Sequence, residues 1–237
     1  MTDLGIHPDS RARGESRMGC RRKWLDARRT AFLLLIVGVL ASLLYLFIPS
    51  NGSLRVFNPE TMAALETRMW RHYYEGRYGA LGLDLYLVTR GQYHLSPWAA
   101  AWMAYNSTVA ARVFQESHNR LQAEAAVPYL ERSYRCLAEN TGEPFDYKKA
   151  AALELGWWQQ RREDIPPTQY AETIAELMRQ VYRSHDPRLK QASLIRAQMM
   201  AYRDARRNGR MKPSDWRWIE ENLRTSYQIY SDAVQQP

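Results

Sequence analysis

Residues 31–48 form an uncharged apolar run, AFLLLIVGVLASLLYLFI, which constrains this 237-residue chain more than any other feature. In an α-helix a run of this length rises about 27 Å, close to the roughly 30 Å thickness of a bilayer's hydrocarbon core. Helices of water-soluble proteins are normally apolar along one face only, whereas this run is apolar on every side. The sequence therefore predicts a single transmembrane anchor over residues 31–48, with the lipid bilayer as its partner.

Basic residues before the apolar run set its expected orientation. Residues 1–30 hold eight Lys and Arg side chains, whereas Arg55 is the only charged residue close behind the run. Because basic flanks are retained in the cytoplasm, the N-terminal tail is expected inside the cell membrane and the rest of the chain outside it, in the periplasm of a Gram-negative cell. One alternative is a cleaved signal peptide, although no A-x-A pattern follows the run. Another is a twin-arginine export signal, which residues 20–25 loosely resemble.

The composition divides the chain into four predicted segments. They are a basic tail at 1–30, the anchor at 31–48, a linker at 49–57 and an extracytoplasmic helical domain at 58–237. The eight basic and four acidic residues of the tail account for +4 of the formal net charge of +8, and the rest is spread over a body of mixed charge. Topology and attraction to anionic lipid explain such a tail, so no nucleic-acid partner is predicted.

The domain is patterned as helix almost throughout, so the predicted fold class is all-α. Helix starts are marked by Asn58 and Ser96, each followed by proline, and by Asp146. Apolar residues recur at helical spacing, most clearly in the stripe of Tyr170, Ile174, Leu177 and Val181. The turns between about seven to eight helices are short, which favours antiparallel neighbours. The sequence therefore predicts a multi-helix bundle or a stack of helical hairpins.

Two carboxylates interrupt apolar helical stripes and are the sharpest candidates for function. Glu66 and Glu154 both lie among apolar residues at helical spacing, and buried carboxylates are rare unless they are paired. The candidate polar cluster consists of Glu66, Tyr73, Glu154, Trp158 and Arg161. A functional interpretation makes the two carboxylates a binding or catalytic pair. A structural interpretation pairs them with an arginine, for which Arg71, Arg90 and Arg161 are the candidates, or with a tyrosine hydroxyl.

Known catalytic and metal-binding patterns are missing from the sequence. It contains no Glu-x-x-His pair, no His-Glu-x-x-His, no cysteine pair at metal spacing and no nucleotide-binding glycine loop, so no metal or cofactor is predicted. The leading hypothesis is a non-enzymatic interaction or assembly module at the membrane surface, with a protein partner. One alternative is a helical enzyme or cofactor-binding protein that uses Glu66, Glu154 and nearby aromatic residues. Another is a cell-wall or glycan binder that uses exposed tryptophans.

Overall fold

The computed structural model describes residues 10–50, 52–142, 144–206 and 211–235, with side chains described from residue 28 onward. Within these ranges the chain is helical and contains no strand, which confirms the all-α prediction. The α-helices are α1 Ser10–Tyr45, α2 Pro59–Tyr74, α3 Tyr78–Gly91, α4 Pro97–Glu116, α5 Arg120–Ala123, α6 Val127–Asn140, α7 Tyr147–Arg162, α8 Pro167–Tyr182, α9 Arg188–Asp204 and α10 Pro213–Gln235. The chain divides into two compact units, Met1–Leu46 and Phe47–Pro237.

The first unit contains the predicted anchor within a longer helix. The stretch Arg28–Tyr45 of α1 has 18 residues and is long and apolar enough to cross a membrane. The helix ends at Tyr45, so the last three residues of the predicted span 31–48 lie beyond it. Every described side chain of α1 is exposed. A signal sequence near an N-terminus has the same length and composition.

The helices of the second unit begin where the sequence supplies caps. The Asn58 carboxamide oxygen accepts a hydrogen bond from the backbone N–H of Thr61 at 2.7 Å. The Asp146 carboxylate accepts the backbone N–H groups of Lys148 and Lys149, both at 3.0 Å. These side chains satisfy amide groups that a helix leaves free in its first turn. Gly76 has a φ of 68°, a conformation that glycine adopts without strain, and it makes the tight turn between α2 and α3.

Eight helices of the second unit close into a ring. In the series α2, α3, α4, α6, α7, α8, α9 and α10, each helix packs against the next. The ring closes because α10 also packs against α2. The short helix α5 and the 3₁₀ turn Glu124–Ala126 bridge α4 and α6. The sequence predicted a bundle or a stack of hairpins, and the observed form is a closed circle of consecutive helices.

Apolar side chains from all parts of the ring form its core. The predicted stripe on α8 is fully confirmed, since all four of its residues are buried. Leu54 and Phe57, which lie in the predicted linker 49–57, are also buried in this core. The chain therefore packs against the ring before α2 begins. Cys136 is a buried free thiol within the same core.

Candidate functional site

The ring contains a partly open cavity of about 260 Å³, and each of its eight helices contributes at least one side chain to the lining. The lining is rich in aromatic rings. They come from Trp70, Tyr73, Tyr74, Tyr93, Phe114, Tyr134, Trp157, Trp158, Tyr182, Tyr227 and Tyr230. Its charged side chains are Glu66, Glu154, Arg161 and Arg196. An internal space lined by aromatic residues and a few polar groups is typical of a small-molecule site.

Glu66 of α2 is neutralised by an arginine from the opposite end of the chain. Nε and Nη2 of Arg196 on α9 lie 2.7 Å and 2.6 Å from Glu66 Oε1, and the Tyr227 hydroxyl donates to Oε2 at 2.6 Å. The Glu66 residue is only 2% exposed. Burial opposes the charged form of Arg196, but the Glu66 carboxylate more than offsets it and raises the Arg196 pKa well above its usual range. Glu66 and Arg196 therefore form a charge-balanced pair that ties α2 to α9 and α10.

Glu154 of α7 is held by neutral donors only. Oε2 accepts the Tyr134 hydroxyl at 2.9 Å and the Trp157 indole N–H at 3.0 Å, and Oε1 accepts the Trp158 indole N–H at 2.9 Å. Among the described residues, no lysine or arginine nitrogen lies within ion-pair distance of this carboxylate. Burial raises the pKa of Glu154 above its ordinary value of 4.5, although the charge of Arg196 and the three donors act in the other direction. Glu154 is only partly buried and lines the cavity.

Arg161 has its own partners. Its guanidinium makes two hydrogen bonds of 2.7 Å to the two carboxylate oxygens of Asp204 on α9, and it also donates to the Tyr74 hydroxyl on α2. With Asp204 and Arg203 counted, Arg196 pairs with Glu66, both Arg161 and Arg203 pair with Asp204, and one carboxylate is left without a basic partner. That carboxylate is Glu154.

Two tyrosines complete the polar side of the cavity. Tyr93, from the loop between α3 and α4, hydrogen-bonds to Tyr182 of α8. Burial raises the pKa of Tyr93 to about 12 and that of Tyr182 well above its ordinary value. Both phenols are therefore neutral near pH 7 and can donate or accept a hydrogen bond.

The five residues of the predicted polar cluster all line this one cavity. Glu66, Tyr73, Glu154, Trp158 and Arg161 come together there from α2 and α7. The role of this cluster stays a prediction.

Of the two kinds of partner predicted for the carboxylates, the structure shows the tyrosine hydroxyl. A tyrosine hydroxyl does bind each carboxylate, but none of the three candidate arginines does. Arg71 lies over the Trp216 ring, Arg90 donates to the backbone oxygen of Leu95, and Arg161 binds Asp204. The three arginine candidates lie on α2, α3 and α7, whereas ring closure brings Arg196 of α9 to Glu66.

Sequence reasoning missed Arg196, and a signal for it was present. Arg196 follows Leu189 by seven residues and precedes Met200 by four, and both of these residues are buried on α9. The arginine therefore lies on an apolar helical stripe, in the same way as Glu66. Matching the charged residue on the apolar stripe of α2 with the one on the apolar stripe of α9 would have predicted the ion pair.

No metal centre is evident in the described part of the chain, where no group of three or more His, Cys, Asp and Glu side chains is placed to hold an ion.

A scan against protein-family models gives no match, and neither the curated proteins nor the solved structures show a similar chain.

Proposed function

We propose that this protein is a membrane-anchored binding module whose helical ring holds a small organic cation in its central cavity. The observation that carries the proposal is the Glu154 carboxylate, which faces an aromatic cavity without a basic partner. The anchor is the apolar stretch of α1, and the proposed orientation places residues 1–30 in the cytoplasm and the ring outside it.

Charge supports a cationic ligand. Glu66 is balanced by Arg196, and Asp204 binds both Arg161 and Arg203, so an ionised Glu154 is the one carboxylate among these groups that has no cation in contact with it. An isolated buried charge is costly, and a ligand cation would remove that cost. Aromatic faces also attract cations, and cages of Trp and Tyr rings recognise organic ammonium groups.

Size supports a ligand of modest dimensions. The cavity measures about 260 Å³, whereas an apolar cavity of about 150 Å³ accommodates benzene. A substituted ammonium with a short aliphatic or phenyl body fits within that volume. Tyr93 and Tyr182 would supply hydrogen bonds for a further polar group on the ligand.

The same geometry lowers support for an enzyme that uses two carboxylates. Such a mechanism needs an acid and a base that titrate separately. Glu66 is held in an ion pair with Arg196, so among the described residues Glu154 is the one carboxylate of the cavity lining without a basic partner. Binding therefore accounts for the observed contacts better than acid–base catalysis.

The proposal is tested by titrating the full-length protein in mild detergent with phenyltrimethylammonium and following tryptophan fluorescence. Trp157 and Trp158 donate to Glu154 and should report occupancy directly. We expect saturable binding that is lost in Glu154→Gln and retained in Glu116→Gln, which changes an exposed carboxylate on α4. Neutral tert-butylbenzene has nearly the same shape and should bind more weakly. Equal binding of the two compounds, or unchanged binding by Glu154→Gln, would contradict the proposal.

A second candidate is the interaction module expected from the sequence. It is favoured by apolar side chains on the outside of the ring that single-chain packing leaves exposed, such as Leu121 and Trp218. Pull-down of the full-length protein in mild detergent, followed by mass spectrometry, tests it. A stoichiometric protein partner would support this function, and recovery of the chain alone would count against it.

A further inference from the structure

We propose that the ring rests on the bilayer surface through an aromatic patch on the outer side of α3 and α4. The patch consists of Phe47, Leu83, Leu87, Trp98, Trp102 and Tyr105, and it is called the aromatic patch below. This inference rests on the proposed membrane anchor and adds a second contact between the protein and lipid. The occupant of the patch is the interfacial layer of the bilayer, where headgroups meet acyl chains.

The aromatic patch is apolar, exposed and internally ordered. Trp98, Trp102 and Tyr105 are 57%, 44% and 58% exposed. They follow one another at intervals of four and three residues, so they share one face of α4. The ring of Trp102 stacks on that of Tyr105 at 6.2 Å between centroids, and the ring of Phe47 lies 6.3 Å from that of Trp98.

Helix α3 extends the patch sideways. The Thr89 hydroxyl lies 3.3 Å from the backbone oxygen of Ala100, which places α3 directly beside α4. Leu83 and Leu87 of α3 are both exposed, one turn apart. Leu81 and Leu85 of the same helix line the cavity, so the two exposed leucines lie on the outer face of the ring.

Chain connectivity supports lipid as the occupant. Phe47 is separated from Tyr45, the last residue of α1, by Leu46 alone. Two peptide units span at most about 7.6 Å between Cα atoms, so Phe47 must lie close to the end of the membrane-spanning helix. Because Phe47 contacts Trp98, the aromatic patch begins at the point where the chain leaves the bilayer.

Residue chemistry supports the same occupant. Trp and Tyr are enriched at membrane interfaces, where an apolar ring and a polar N–H or O–H each find a suitable environment. Asp84 is the only acidic residue between Tyr78 and Gln115, and it is buried. The stretch from Tyr78 to Gln115 therefore presents no exposed carboxylate to anionic headgroups, and the next one, Glu116 at the end of α4, is paired with Arg112.

The experiment uses the full-length protein in vesicles of phosphatidylcholine and phosphatidylglycerol, with and without bromine on the acyl chains. Bromine quenches tryptophans that touch lipid. The test variant is Trp98→Phe/Trp102→Phe, and the matched control is Trp218→Phe, whose indole on α10 is 49% exposed outside the patch. Subtracting each variant's emission from that of the wild type isolates the replaced tryptophans.

We expect the emission of the Trp98 and Trp102 pair to be quenched in brominated vesicles and the emission of Trp218 to be unaffected. If the pair is not quenched while the chain resists carbonate extraction, the anchor holds and the lipid contact is overturned. Carbonate extraction of the wild type would instead refute the anchor itself. A detergent-stable dimer that dissociates in the double variant would assign the patch to a second copy and overturn the lipid contact.

Discussion

Replacing each cavity carboxylate by glutamine should separate a structural role from a binding role. In Glu66→Gln the carboxamide cannot balance the buried guanidinium of Arg196, whose side chain is 16% exposed. Removing one partner of a buried ion pair costs about 3–5 kcal/mol, because the other charge stays buried without compensation. We therefore expect a strongly destabilised variant.

Glu154→Gln should behave differently because its three donors are neutral. The glutamine oxygen can still accept some of the hydrogen bonds from Tyr134, Trp157 and Trp158, and no buried cation is left alone. An unsatisfied donor costs roughly 1–3 kcal/mol, and the removal of a buried charge is a gain of similar size. The two effects should cancel to within about 1 kcal/mol.

The assay is thermal unfolding of full-length protein in detergent at pH 7, followed by circular dichroism. For a domain of this size 1 kcal/mol shifts Tm by about 2–4 °C. Glu66→Gln should therefore lower Tm by about 6–20 °C, whereas Glu154→Gln should stay within about 4 °C of the wild type. Glu116→Gln, in an exposed pair with Arg112, is the control and should leave Tm unchanged. A Glu66→Gln protein as stable as the wild type would refute the structural role of the pair.

Three further predictions follow from the same contacts. Burial raises the pKa of Glu154 in the folded state above 4.5. The protonated carboxyl therefore stabilises the fold at pH values below 4.5, and this contribution is lost as the pH rises through the folded-state pKa. Melts from pH 4.5 to 8 should therefore show Glu154→Gln gaining stability relative to the wild type, and a constant difference would contradict this. Arg161→Met should lower the free energy of unfolding, measured with a chemical denaturant, by about 2–4 kcal/mol. The reason is that the partly buried carboxylate of Asp204 loses its bidentate partner and keeps only the longer contact of 3.2 Å to Arg203. A loss below the measurement error would contradict this. Protease added to intact spheroplasts should digest residues 55–237 and spare residues 1–30, whereas protection of the body would reverse the proposed orientation.

Local patterns predicted the helices well because their causes are local. The cap at Asn58 and the stripe on α8 depend on residues a few positions apart, and both are present. The apolar run was also sufficient to predict a helix of membrane-spanning length, although the helix ends at Tyr45, before the run does.

Features that depend on ring closure could not be predicted in the same way. Glu66 and Arg196 are 130 residues apart, and they meet because α9 and α10 return to α2. Helical periodicity indicates that each side chain faces inward but does not indicate which inward faces meet. The burial of Leu54 and Phe57 has the same origin, because the segment before α2 packs on helices from the far end of the chain.

The most direct test of the central claim is a crystal structure of the full-length protein soaked with tetramethylarsonium, an isosteric analogue of tetramethylammonium that contains an anomalous scatterer. We expect an arsenic peak inside the ring, against Glu154 and the rings of Trp157 and Trp158, and no such peak in Glu154→Gln. An empty cavity in the wild type, or a peak that persists in the Glu154→Gln variant, would contradict the proposal that this carboxylate makes the cavity a cation site.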